Sequence, residues 1–157
     1  MLTVILLGSP TDEPLGREIA GALARFGIPW EMRVASAHKT PQHLLELLAA
    51  YEADPRPKVY ITVAGRSNAL SGLVDAHVCA PVIACPPYSE KYAGADLWSS
   101  LRAPSGVAPA VVLEPENAAL LAAKILGLTV PDLRRAVQEA QHTQRQRLFD
   151  ADAALQE

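Results

Sequence analysis

The sequence predicts an α/β protein: a three-layer flavodoxin-like sandwich with a parallel five-stranded sheet and a C-terminal helical extension. Three observations lead there. Short apolar runs alternate with helix-patterned segments along the chain, the signature of successive βαβ units. The runs are continuously apolar, as in strands covered on both faces. Several end in small and polar residues, Gly8-Ser9, Ser36-Ala37 and Gly65-Arg66 among them, where a parallel sheet carries its working loops.

The elements follow in order. "TVILLGS" (residues 3–9) is the first strand; the apolar start has no basic segment before it and is too short to cross a bilayer. "EPLGREIAGALARFG" (13–27) places Leu15, Ile19, Leu23 and Phe26 at helical spacing, with Gly27 as its stop. "IPWEMRVAS" (28–36) is the second strand, and "PQHLLELLAAYEA" (41–53) the second helix, with Pro41 in its first turn. "KVYITVAG" (58–65) is the third strand, followed by the polar loop "GRSNALSG" and a short helix ending near His77. "APVIACP" (80–86) and "PAVVLE" (109–114) complete the sheet, and "NAALLAAKILGL" (117–128) is a helix. A last helix starts at the signals Thr129, Pro131 and Asp132. Its thin apolar stripe, Leu133, Val137, Ala140 and Leu148, suits docking on a neighbouring subunit as well as on its own sheet, and the contact with a neighbour is the expected role. Strand order 2-1-3-4-5 is expected by analogy with other doubly wound sheets. Ligands then bind outside the carboxyl ends of strands one and three.

Composition narrows the function. The 157 residues fit a single domain (1–157), with residues 130–157 as the C-terminal helix and an oligomer contact. Fourteen Lys plus Arg against seventeen Asp plus Glu give a net charge of -3, which argues against a nucleic-acid partner. No segment is long and apolar enough for a membrane. Cys79 and Cys85 lie in or beside apolar segments without Cys-x-x-Cys or histidine partners. They are expected to be buried, reduced thiols of a cytoplasmic protein, and no metal site is expected. His43 and His142 are expected at the surface, and His77 in a structural role.

Three loops hold the candidate chemistry. Gly8 and Ser9 leave a strand and enter a helix, whose N-terminal N–H groups favour an anion. Asp12 would repel that anion and suits ribose hydroxyls; the bland alternative is that Ser9, Thr11 or Asp12 only caps the helix. In "SAHKT" (36–40), Ser36 offers a hydroxyl, His38 a proton acceptor and Lys39 a fixed positive charge. In "VAGRSNALSG", backbone N–H groups at Gly65 and Ser67 can hold a small carboxylate or carbon dioxide, and Arg66 a phosphate or carboxylate. For both loops the alternative is an ordinary solvated turn. "DLWSSLRAPSG" (96–106), with Trp98 and Arg102, can line a pocket or form a subunit contact, and the contact is the expected role.

"GSPTD", "RVASAHKTP", "VAGRSNAL", "PVIACPP", "DLWSSLRAPSG" and "NAALLAAKILGL", in that order, resemble the phosphoribosylaminoimidazole carboxylase (PurE) family of purine biosynthesis. The resemblance runs from Val4 to about Leu128. It implies reversible carboxylation of 5-aminoimidazole ribonucleotide (AIR) to 4-carboxy-5-aminoimidazole ribonucleotide (CAIR). His38 would be the proton acceptor, Ser9, Asp12, Ser36 and Lys39 the nucleotide contacts, and Gly65 and Ser67 the border of the carbon dioxide site. Either Lys39 or Arg66 would hold the phosphate. Lys39 and "AGRSNAL" stand where the mutase branch reads Ser-Ala-His-Arg and Gly-Gly-Ala-Ala-His-Leu. The chain therefore resembles the class II branch, which implies direct use of carbon dioxide, no ATP or biotin cofactor, and a homo-octamer with sites at subunit contacts. Thr11 replaces a frequent Ser, and "NALSG" a more glycine-rich continuation. The nearest alternative is an N-carboxyaminoimidazole ribonucleotide mutase. A signalling receiver would need an aspartate where Gly65 stands.

Overall fold

β1 (Leu2–Leu7) lies inside the sheet, and all six of its residues are buried. The computed structural model describes residues 1–156. After β1 come α1 (Glu13–Arg25), β2 (Trp30–Val34), α2 (Pro41–Glu52), β3 (Lys58–Val63), α3 (Ala69–Asp75) and β4 (Val82–Ala84). Then follow α4 (Trp98–Leu101), β5 (Ala110–Val111), α5 (Pro115–Leu126) and α6 (Pro131–Ala154). All strand pairs are parallel, and the order β2-β1-β3-β4-β5 is the one expected. The chain has the three-layer flavodoxin-like architecture.

Strand alternation builds the layers. Ile5 and Leu7 of β1 point to one face, where Ile19 and Leu23 of α1, Ala118 and Ala122 of α5, and Leu133 of α6 cover them. Leu2, Val4 and Leu6 point to the other, against Leu44 and Leu48 of α2 and Leu70 and Val74 of α3. Each such Leu or Ile contributes roughly 1.5–3 kcal/mol through burial. Small residues set the spacing. A Cβ on Gly16 would lie 2.9 Å from the Leu7 Cδ2 atom, so α1 sits directly on the strand whose end it extends.

Several expectations need correction. The second strand begins at Trp30, because the Ile28 N–H closes the preceding helix on the Leu23 carbonyl at 3.1 Å. The fifth strand keeps only Ala110–Val111, since Pro109 has no N–H to donate and the strand is a sheet edge. The last helix is not capped by Thr129: Val130 holds that position, and the Thr129 hydroxyl donates to the Leu126 carbonyl instead. Cys79 is exposed, because it precedes β4 instead of belonging to it; Cys85 is buried as expected. Burial, helped by the charges of Glu114 and Glu18, pushes the Cys85 thiol up to about 12.

The histidines outside the loops sit as anticipated. His43 and His142 are exposed, and the His77 ring nitrogen meets the Leu73 carbonyl at 2.8 Å, closing α3. In α6 the apolar stripe divides. Leu133 and Val137 pack on the chain's own core, while Leu148 and Phe149 remain 71% and 66% exposed. No helix among the described residues is long and apolar enough to cross a membrane.

Candidate active site

The carboxyl ends of β1, β2 and β3 open into a cavity of about 520 Å³. That volume falls within the ~300–1,000 Å³ typical of small-molecule sites. Ser9, Asp12, Ser36, His38, Lys39, Gly65, Arg66 and Ser67 all line it, so the three loops meet at one rim.

The first wall follows β1. Ser9 caps the short turn Pro10–Asp12, its Oγ accepting from the Thr11 N–H at 3.3 Å and the Thr11 hydroxyl at 2.9 Å. The capping role and the cavity position therefore coexist. Gly8 suits a close approach, since a Cβ there would lie 3.1 Å from the Ala64 Cβ on the neighbouring wall. Asp12 stands at the N-cap of α1 but makes no capping bond, which leaves its carboxylate to the cavity.

Burial raises the Asp12 carboxyl above its ordinary value, opposed by a hydrogen bond from the Ser9 backbone and by the charge of Arg66. The stability contributed by a carboxyl raised in this way is full below its unfolded value. It is lost as pH rises through the folded one. Ionised Asp12 therefore costs stability at neutral pH. Asp12→Asn is expected to raise the thermal midpoint at pH 7, by an amount that shrinks toward pH 4, while weakening nucleotide binding. Paired melts and calorimetric titrations test this; a lower midpoint at pH 7 would refute it.

The second wall is a closed turn. The Ser36 N–H donates to Thr40 Oγ1 at 2.9 Å, the Thr40 N–H returns to the Ser36 carbonyl at 2.9 Å, and Ser36 Oγ accepts from the Lys39 N–H at 3.2 Å. Ser36 and Thr40 thus hold the turn, and His38 and Lys39 project from it, exposed. Thr40 precedes α2 without capping it, because its hydroxyl serves Ser36.

The third wall is Gly65–Ser67. Arg66 has φ of 56°, a left-handed conformation that costs a side-chain-bearing residue roughly 1–2 kcal/mol. Distant residues hold it there. Asp96 Oδ2 accepts the Arg66 N–H at 3.0 Å, and the Ser99 hydroxyl donates to the Arg66 carbonyl at 2.7 Å. Neither the Gly65 nor the Ser67 N–H has an acceptor among the described residues. Beneath them, Asn68 Nδ2 donates to Ser71 Oγ at 2.7 Å and Ser100 Oγ at 2.9 Å, and Asn68 Oδ1 accepts the Ser71 N–H at 3.2 Å. Ser71 Oγ in turn lies 2.8 Å from Thr62 Oγ1 in the core.

Sequence reasoning missed Asp96, Asn68 and Ser99. Asn68 carried a signal, an Asn three residues before Ser71 at a helix start. Asp96 carried none, because its partner Arg66 lies 30 positions away. Of the two roles open to segment 96–106, the pocket one holds for Asp96, which lines the cavity, while Trp98 and Leu101 face outward, 66% and 58% exposed.

Comparison with known proteins agrees with this geometry. A family model described as AIR carboxylase matches residues 2–147. Phosphoribosylaminoimidazole carboxylase of Treponema denticola is 50% identical over 154 residues, covering 98% of this chain and 97% of that protein. Its namesake in Archaeoglobus fulgidus is 52% identical over 155 residues, covering 99% of this chain and 85% of the relative. The crystal structure of Treponema denticola PurE matches with a TM-score of 0.97 at 49% identity, covering 99% of each chain.

Proposed function

Because the chain belongs to the AIR carboxylase family, we propose that it serves purine biosynthesis by joining carbon dioxide directly to 5-aminoimidazole ribonucleotide, reversibly and without ATP or biotin. The observation that carries this reading is the gathering of a proton acceptor, two cations and ribose-suited acceptors around one cavity. In the reaction, the substrate's exocyclic amine pushes electrons into the adjacent ring carbon, C4, which attacks carbon dioxide. The ring regains aromaticity when C4 loses its proton, and His38 takes it. Negative charge grows on the new carboxylate, where the Gly65 and Ser67 N–H groups supply donors. Asp12 and Ser9 receive the ribose and its linkage, Ser36 adds a hydroxyl, and Lys39 and Arg66 supply positive charge for the phosphate.

Lys39 and the run Ala64–Leu70 favour the carbon dioxide-using class II branch over the mutase. The test supplies the purified chain with AIR and labelled bicarbonate, with carbonic anhydrase to equilibrate carbon dioxide. Label is expected in CAIR without ATP. Turnover only from an N-carboxylated precursor would overturn the proposal in favour of the mutase.

We also read the chain as one cytoplasmic carboxylase domain that assembles as a homo-octamer. The exposed Leu148 and Phe149 on the far half of α6, and Trp98 beside the cavity, support this, since such side chains are enriched where subunits meet. Light scattering on the assayed sample is expected to give the octameric mass; full activity from a monomer would sink this reading.

A further inference from the structure

Ser99 reaches the site without entering it. Its hydroxyl oxygen lies 2.7 Å from both the Arg66 and the Asp96 carbonyl oxygens, and it accepts the Asn68 N–H at 3.0 Å. Ser99 is not among the residues lining the cavity, whereas Arg66 and Ser67 are. The bond to Asp96 spans three positions and is the ordinary back-bond of a serine in a short helix. The bond to Arg66 spans 33 and ties two loops together. Its effect follows from peptide planarity. The Arg66 carbonyl and the Ser67 N–H belong to one trans peptide unit, which is rigid and points the two groups in opposite directions. A donor that fixes the carbonyl therefore fixes the N–H as well, on the side away from the Ser99 hydroxyl. That N–H has no acceptor among the described residues. Asp96 does not do the same work, because its Oδ2 holds the Arg66 N–H, which shares a peptide unit with the Gly65 carbonyl.

Building on the reading above, we propose that Ser99 is a positioning residue for carboxylation: by holding the Arg66 carbonyl, it aims the Ser67 N–H at the carboxylate that forms from carbon dioxide. The left-handed Arg66 makes the hold necessary, since a side-chain-bearing residue leaves that region once its restraint is gone. The peptide plane then turns, and the Ser67 N–H turns with it. On the same reading the nucleotide is held elsewhere, by Ser9 and Asp12 on the first wall and by Ser36 and Lys39 on the second, so a cation stays in place for the phosphate. Asn68 also keeps its position without Ser99, because its side chain is bonded to Ser71 and Ser100. Losing the Ser99 hydroxyl thus reaches the carbon dioxide side of the cavity and spares the other two walls.

Ser99→Ala removes the hydroxyl and Ser99→Thr keeps one. In Ser99→Ala, kcat/KM for carbon dioxide at saturating AIR is expected to fall about tenfold or more, short of the ~10²–10³ that deleting an aligned donor outright costs. Calorimetric AIR affinity is expected to stay within about threefold of the parent. Ser99→Thr is expected to recover most of the lost turnover. The split between the two substrates is the decisive readout, because a merely structural role would depress both quantities together. Parent-like dependence on carbon dioxide in Ser99→Ala would overturn the proposal. So would AIR binding lost in step with turnover, or a threonine variant as impaired as the alanine one. The parent arm tests the reaction itself. A parent that binds AIR yet does not carboxylate it overturns the reaction assignment and this proposal with it, whereas an active parent beside an unaffected Ser99→Ala overturns the proposal alone.

Discussion

His38→Asn is expected to lower carboxylation on the order of 10²–10⁴-fold while leaving AIR affinity within about tenfold. Asparagine resembles imidazole in reach and polarity but does not take a proton at working pH, so the change removes the acid–base step and little else. The fold should tolerate it. His38 is exposed, and the turn that carries it is closed by Ser36 and Thr40 without help from the imidazole. Single-turnover formation of CAIR, followed by ultraviolet absorbance beside a calorimetric titration, separates the two effects. Turnover near the parent rate would remove His38 from the proton-transfer role.

Asn68→Ala is expected to cost about 2–4 kcal/mol of stability and to reduce turnover as well. Asn68 is buried, and its amide joins Ser71 and Ser100, with Thr62 next in the chain of hydroxyls. Alanine strands those hydroxyls away from water. It also loosens the junction between α3 and the segment carrying Ser99, which receives the Asn68 N–H at 3.0 Å and donates to Arg66. Urea denaturation reads the first effect and the carboxylation assay the second. A loss below about 0.5 kcal/mol would show that water replaces the amide, and that the network is not what holds the third wall.

The difference between the two positions marks what the sequence made legible. His38 sits in a turn made by residues at most four apart, so the local pattern Ser-Ala-His-Lys-Thr contains its own geometry. The apolar runs of β1 and β3 are equally local, and their burial followed from composition. The third wall is different in kind. Its conformation rests on contacts spanning 30 to 33 positions, and no period or motif announces that Asp96 and Ser99 will return to Arg66. The errors at Cys79 and Thr129 are local instead. Cys79 has apolar neighbours in Val78 and Ala80, yet the strand they seemed to begin starts only at Val82. Thr129 offers the right cap chemistry, but its hydroxyl is taken by the helix behind it.

Trp98 follows two residues after Asp96 and directly precedes Ser99, and its indole faces outward while both neighbours hold the cavity rim. The chain has two tryptophans, and the other, Trp30, lies on β2. A nucleotide that settles against the rim is expected to perturb this natural fluorophore through the residues on either side of it. Filling the cavity should shift its emission, which would let occupancy be followed in real time without a label.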